Sequence, residues 1–343
     1  INAGGVSYGT QRLIPVLDEC LTYQPDLVIL CTGHNEFLER QIYDQLPAPA
    51  IKIAQAIHGL HLYRALQSVF PPTLPAKSPL PSEVDTLLDH PGGLESFHYD
   101  PEWRKHVIAT FDQNLNRLVD AAQTSNTPIL LVHPPSNLKD CPPFKSDFTS
   151  PTTGSQKSHW QSLLATHQLQ ESLEIDPLHP LAHYLIGQHY IGTGDTANAL
   201  KHLTLARDHD TCPLRILSPM EQTLRAVSQK SNTPLVDAQI LLAKECTATI
   251  PGSQVLVDHV HPSIRGHQLI AEHLLKTVST TLGLASTGNW QSHRSALYQT
   301  HIDALPPLYF THGLRRLRAV NAWTEGRVQA TQSPRETRPA DTE

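Results

Sequence analysis

No stretch of this 343-residue chain approaches 18 consecutive apolar residues, so nothing in the sequence reads as a membrane-spanning helix. The five cysteines (Cys20, Cys31, Cys141, Cys212 and Cys246) are odd in number and include no Cys-x-x-Cys pair. That pattern suggests neither a disulfide framework nor a zinc ribbon. Blocks of like charge are missing too. With 26 basic against 32 acidic residues the net charge is −6, which argues against a nucleic-acid-binding surface. The chain opens Ile1-Asn2-Ala3-Gly4-Gly5, without a Met, a signal peptide or a transit segment. It therefore reads as a processed piece, or as one whose beginning is missing. Any signal or anchor would lie upstream, and the localisation leans to extracytoplasmic or membrane-tethered.

Proline is abundant, at 28 residues, and much of it falls in loops; the 21 histidines are scattered. Apolar residues make up 39%, enough for a folded core, and the length suits a core with an added module. The spacing predicts helices over residues 11–23, 50–69, 101–123 and 263–282, the last with Ala271, Leu274, Leu275, Val278 and Leu282 on one side. Residues 71–95, rich in proline, read as an irregular excursion. Short apolar runs at 27–31, 128–132 and 235–236 have strand length, and the first, apolar on both faces, suits a buried parallel strand. Ser125-Asn126-Thr127-Pro128 recurs as Ser231-Asn232-Thr233-Pro234, an echo that shared turn chemistry explains. Alternating helices and strands predict an α/β parallel sheet. Residues 287–328 read as moderately helical and 329–343 as a disordered tail.

One stretch breaks the alternation. At a separation of 34, Ala165 matches Ala199, Leu169 matches Leu203 and Asp176 matches Asp210, with small residues at 172 and 206. Gly187, Tyr190, Gly194, Ala199, Leu203 and Ala206 carry the spacing of a helical hairpin. The segment resembles the tetratricopeptide repeat, with one full unit at about 180–213 and a preceding helix at about 159–173. His183 departs from the usual tryptophan-type position. So short an array leans on the core, and such a unit implies a protein partner.

Three segments at strand ends carry candidate chemistry. Asn2-Ala3-Gly4-Gly5-Val6-Ser7-Tyr8-Gly9-Thr10 precedes the first helix and bares backbone N–H groups. Gly33-His34-Asn35-Glu36 follows the first strand, where Asn35 offers a side-chain amide. Asp258-His259-Val260-His261-Pro262 opens the last core helix and can set a carboxylate beside an imidazole. A base, its orienter and donors for an oxyanion are what ester hydrolysis needs. A metal set of His259, His261 and His267 is the weaker alternative, since no His-Glu-x-x-His helix supports it. His58 and His61 suit one polar helix edge, while Arg40, Asn137 and Lys139 suit surface loops that could touch a substrate.

In this order the three segments resemble blocks II, III and V of the SGNH (GDSL-type) hydrolases, over roughly 1–150 and 214–282. Glu36 departs from the family's aspartate. The resemblance implies a three-layer α/β fold with a parallel sheet, His261 as base, Asp258 as its orienter, and Ser7 N–H and Asn35, on the Gly33 turn, as the oxyanion hole. It implies an acyl-serine mechanism without metal or cofactor, on an ester of a glycan or a lipid. Block I, which supplies the serine, would lie upstream with the first strands; Ser7 sits on the oxyanion loop and does not replace it. The division implied is 1–157 and 214–284 for the core, 158–213 for the insertion, and 285–328 and 329–343 for the extension and tail. Acyl transfer on the same fold, and a non-catalytic scaffold built around the helical repeat, are the alternatives.

Overall fold

The computed structural model describes residues 1–39, 84, 86–90, 92–284 and 290–324. The predicted helix at 50–69, Arg40, His58, His61, most of 71–85 and the tail from 325 lie outside these residues. Among the described residues no helix is long and apolar enough to cross a membrane.

The sheet has three parallel strands in spatial order β1 (Val28–Cys31), β2 (Ile129–His133) and β3 (Leu235–Asp237). Helix α1 (Thr10–Thr22) precedes β1, and α2 (Pro101–Thr124) precedes β2. The Asp100 carboxylate caps α2, accepting from Glu102 N and Trp103 N, and Pro101 stands in its first turn. One face of α2, including Val107, Phe111, Leu115, Leu118 and Ala122, is wholly buried. The repeated Ser-Asn-Thr-Pro tetrapeptides do one job twice. Asn126 and Asn232 adopt left-handed φ of 54° and 53°, and the following Thr N–H bonds five residues back, to Ala122 O and Ser228 O. Each proline carbonyl then accepts the first ladder bond from the adjacent strand, Pro128 from Val28 N and Pro234 from Leu131 N.

Between β2 and β3 run α3 (Gly154–Ala165), α4 (Leu169–Ile175), α5 (Pro180–Thr193), α6 (Thr196–Asp208) and α7 (Ser218–Ser231). The single helix expected at 159–173 is broken at residues 166–168, where His167 takes a φ of +59°. Helices α5 and α6 cross closely. A Cβ on Gly187 would stand 2.7 Å from the Leu203 side chain, and Ala199 is fully buried. Asp176 and Asp210, 34 residues apart, serve alike: each is buried just beyond a helix and accepts backbone N–H groups of the 144–149 loop. The hairpin joins the core through Leu138 and Ile250, packed on Ala199 and Leu203, and through Tyr184 Oη donating to Lys139 O.

After β3 come α8 (Ala238–Ala243), α9 (Ile264–Thr281), α10 (Trp290–Asp303) and α11 (Tyr309–Thr324). Helices α1, α2 and α7 cover one face of the sheet and α9 the other, through Ile270, Leu274 and Val278. The sheet face of α9 includes the expected Leu274 and Val278 but departs from expectation elsewhere. Ala271 and Leu275 are exposed, whereas Leu269 is buried. The expectation for β1 holds for its parallel pairing and for the buried Leu30, and fails elsewhere in the strand. Ile29 is 47% exposed and Cys31 is exposed, because β1 has a partner on one side only among the described residues. β2, flanked on both sides, is buried throughout.

Candidate active site

The Asp258–His261 turn is closed by its own backbone. Val257 N donates to His261 O, Leu256 bridges Pro262, and Ser263 caps α9 by accepting from Gly266 N. Inside the turn, Asp258 Oδ1 accepts from Val260 N and His261 N at 2.9 and 2.8 Å. Asp258 Oδ2 takes the His261 Nδ1–H at 2.7 Å. Burial pushes the Asp258 carboxyl up, but the hydrogen bonds from the His261 ring and the two amides outweigh it and hold it at about 2. The ionised carboxylate fixes the proton on Nδ1 and leaves the Nε2 lone pair available. It also raises the imidazole pKa above its ordinary value. The His261 side chain is 62% exposed while Asp258 is 4% exposed, so the base faces outward from an anchored orienter.

The two other segments meet at the end of β1. Asn35 Nδ2 donates to Tyr8 O at 3.2 Å, which sets the amide against the Ser7 turn. Ser7 holds a left-handed φ of 63°, and its N–H makes no backbone hydrogen bond among the described residues. Gly33, at φ +128°, cannot carry a side chain: a Cβ would lie 2.5 Å from Ile216 Cδ1. Glu36, fully buried, accepts from Thr10 N and Thr10 Oγ1, both at 2.8 Å. Its carboxylate thus caps α1 from across the chain, at the positive end of the helix. Arg12, itself buried, pairs with Glu39 and ties the same two segments again.

His34 links the two halves of the site. Ile216 N donates to its Nδ1 at 3.1 Å, and its pKa lies well below the ordinary value, through burial first and then the charges of His259, His133 and His261. His34 thus lies within electrostatic reach of the Asp258–His261 turn, as well as of His133 and Arg207.

Sequence reasoning missed the layer behind the turn. Asn137 was expected on a surface loop; it is 4% exposed. Its N–H donates to His259 O and its Nδ2 to Asp258 O, and Arg215 Nη1 donates to Asn137 O at 2.8 Å. Contacts spanning 121 and 78 residues leave no local trace; only the position of Asn137, just beyond a strand end, hinted at them. A second histidine–aspartate pair was missed as well. His133, ending β2, bonds Asp237 Oδ1, ending β3, through Nδ1 at 3.0 Å.

No protein-family model, curated protein or solved structure matches the chain. The geometry therefore carries the argument alone. Among the described residues no three His, Cys, Asp or Glu side chains gather as a metal centre. What the edge of the sheet offers is an oriented, outward-facing imidazole base and, at the end of β1, two hydrogen-bond donors on adjoining turns.

Proposed function

We propose that this chain carries the base and oxyanion half of a serine ester hydrolase of the SGNH type. The observation that carries the reading is the 2.7 Å bond from His261 Nδ1 to a carboxylate pinned by two amides, with the imidazole otherwise exposed. Such a pair takes a proton from a hydroxyl at Nε2 and holds the resulting imidazolium. Ser7 N–H and Asn35 Nδ2 are the donors for the oxygen of the attacked carbonyl. His261 then returns the proton to the leaving alcohol, and water repeats the cycle on the acyl-serine. No serine hydroxyl among the described residues bonds His261. The reading assigns the nucleophile to a serine outside the described residues, on an element that would reach the Ser7 and Asn35 turns. The close α5–α6 hairpin, and the matched roles of Asp176 and Asp210, support the tetratricopeptide-like reading of the insertion.

The test compares p-nitrophenyl acetate hydrolysis by the 343-residue chain and by a form extended upstream through the coding sequence. The chain alone is expected to be inactive and the extended form active. His261→Ala in the extended form should lower the rate by about 10³-fold or more, since triad members act as a unit. His261-dependent turnover by the 343 residues alone would place the nucleophile within them and overturn this assignment.

A further inference from the structure

Helix α11 is held at its C-terminal end. Thr324 is buried, Trp323 packs against the core, and Trp323 Nε1 donates to Asp89 Oδ1 at 2.9 Å. Toward its start the helix stands free of the core. Leu308, Tyr309, Phe310 and Leu314 are between 48% and 59% exposed, and Leu317 and Val320, nearer the anchored end, are half-buried. At about 3.6 residues per turn, Tyr309, Phe310, Gly313, Leu314, Leu317 and Val320 share an arc of about 140°. The other residues of 309–320 are Thr, His, Arg and Ala, and the helix contains no carboxylate.

Charge narrows the partner. Arg316 and Arg318 border the apolar arc on its two sides, and Arg315 lies opposite it. All three are exposed, and none makes a hydrogen bond or an ion pair among the described residues. In a chain of net charge −6, this is a local reversal of sign beside exposed apolar side chains. An uncharged apolar partner would cover the arc and leave the arginines without counter-charge. A second copy laid on the same arc would set bordering arginines against bordering arginines. A surface of phosphates above acyl chains meets both features at once. It takes the apolar arc inward, offers negative charge along both borders, and suits aromatic rings such as Tyr309 and Phe310 at its polar boundary.

We propose that α11 docks this protein on a membrane surface that carries anionic phospholipid. Tyr309, Phe310 and Leu314 enter the acyl boundary, Arg316 and Arg318 reach the phosphates, and Arg315 adds attraction from the outer side. The docking surface does not rest on the hydrolase reading. The test is flotation of the 343-residue chain with vesicles, which separates bound protein from any aggregate that would sink. Vesicles of phosphatidylcholine with about a third phosphatidylserine should carry the chain upward, and phosphatidylcholine alone should bind it about tenfold more weakly or worse. Salt at about 0.5 M should reduce the difference. Arg316→Gln combined with Arg318→Gln should weaken binding about tenfold or more, as should Phe310→Ser combined with Leu314→Ser. These side chains are exposed, so both variants should unfold at the parental urea midpoint. Absence of flotation, equal flotation with phosphatidylcholine alone, or parental binding by either variant would overturn the proposal. A dimer of the chain that Phe310→Ser with Leu314→Ser disperses would assign the face to a second copy and overturn it as well.

Discussion

Two histidines stand at the same edge of the sheet, each with Nδ1 on an aspartate, and only one of them is open to solvent. His261 meets Asp258 at 2.7 Å and turns the rest of its ring outward. His133 meets Asp237 at 3.0 Å, but it is 1% exposed and its Nε2 lies 3.3 Å from Glu221 Oε1. Arg207 pairs with Glu221 and Asp208, and Arg225 with Asp237, so positive and negative side chains alternate through a set that is buried except at Arg225, which is 41% exposed. A base needs one nitrogen anchored and the other free. Where both nitrogens face carboxylates, the same pair becomes a structural tie between β2, β3 and α7. The difference lies in what surrounds Nε2, which no local spacing encodes.

The largest effect expected from breaking this contrast is on stability. His133→Ala leaves Glu221 and Asp237 short of a buried partner and should cost about 3–5 kcal/mol in denaturant unfolding. A loss below about 1 kcal/mol would mean that the buried set is not an ionic tie.

The pH dependence sharpens it further. Burial lowers the His133 pKa, but the facing Asp237 and Glu221 outweigh that and raise it above 6.5. A raised histidine stabilises the fold fully below pH 6.5, and that contribution is lost as pH climbs through the folded value. The carboxyls act oppositely. Asp237 and Glu221, buried yet held at about 2 by their cationic partners, contribute above their unfolded values and lose that contribution as pH falls toward 2. The His133 contribution to the unfolding free energy should therefore decline between pH 6 and 9, against the opposite trend of the histidines that burial lowers, and His133→Gln should remove that declining component of the slope. His261 is raised as well, but its exposure screens the effect, so His261→Gln should leave the slope nearly intact. Equal loss of slope in both variants would erase the distinction between the pairs.

The smallest change expected is in the stability of His261→Ala, within about 0.5 kcal/mol of the parent, because Asp258 keeps both of its amide donors. Near-parental unfolding in urea checks it; marked destabilisation would make His261 another structural histidine.

Legibility followed sequence distance. The Asp258–His261 pair spans three residues and the Ser7 and Gly33 turns are local, so residue type and order were enough to nominate them. Two strand starts were also accessible, since the Ser-Asn-Thr-Pro turns stand where β2 and β3 begin. The phase of α9 was accessible in part: Leu274 and Val278 face the sheet as their spacing implied, but Ile270 joins them there in place of the exposed Ala271 and Leu275. Likewise β1 and β2 are similar apolar runs, and among the described residues pairing on one side or on both goes with an exposed Ile29 against its buried register partner Leu130.

By itself, then, the sequence determined an α/β chain with a helical insertion and the residue types of a histidine base, its carboxylate and a donor-bearing turn. Those features rest on short-range periodicity and turn chemistry. Tertiary structure decided the rest: that Glu36 caps α1, that Asn137 and Arg215 back the Asp258 turn, and that His133 is enclosed while His261 is open. Each depends on what burial and charge bring together from 26 to more than 100 residues apart, and at that separation the chain's own pattern carries no record of the partner.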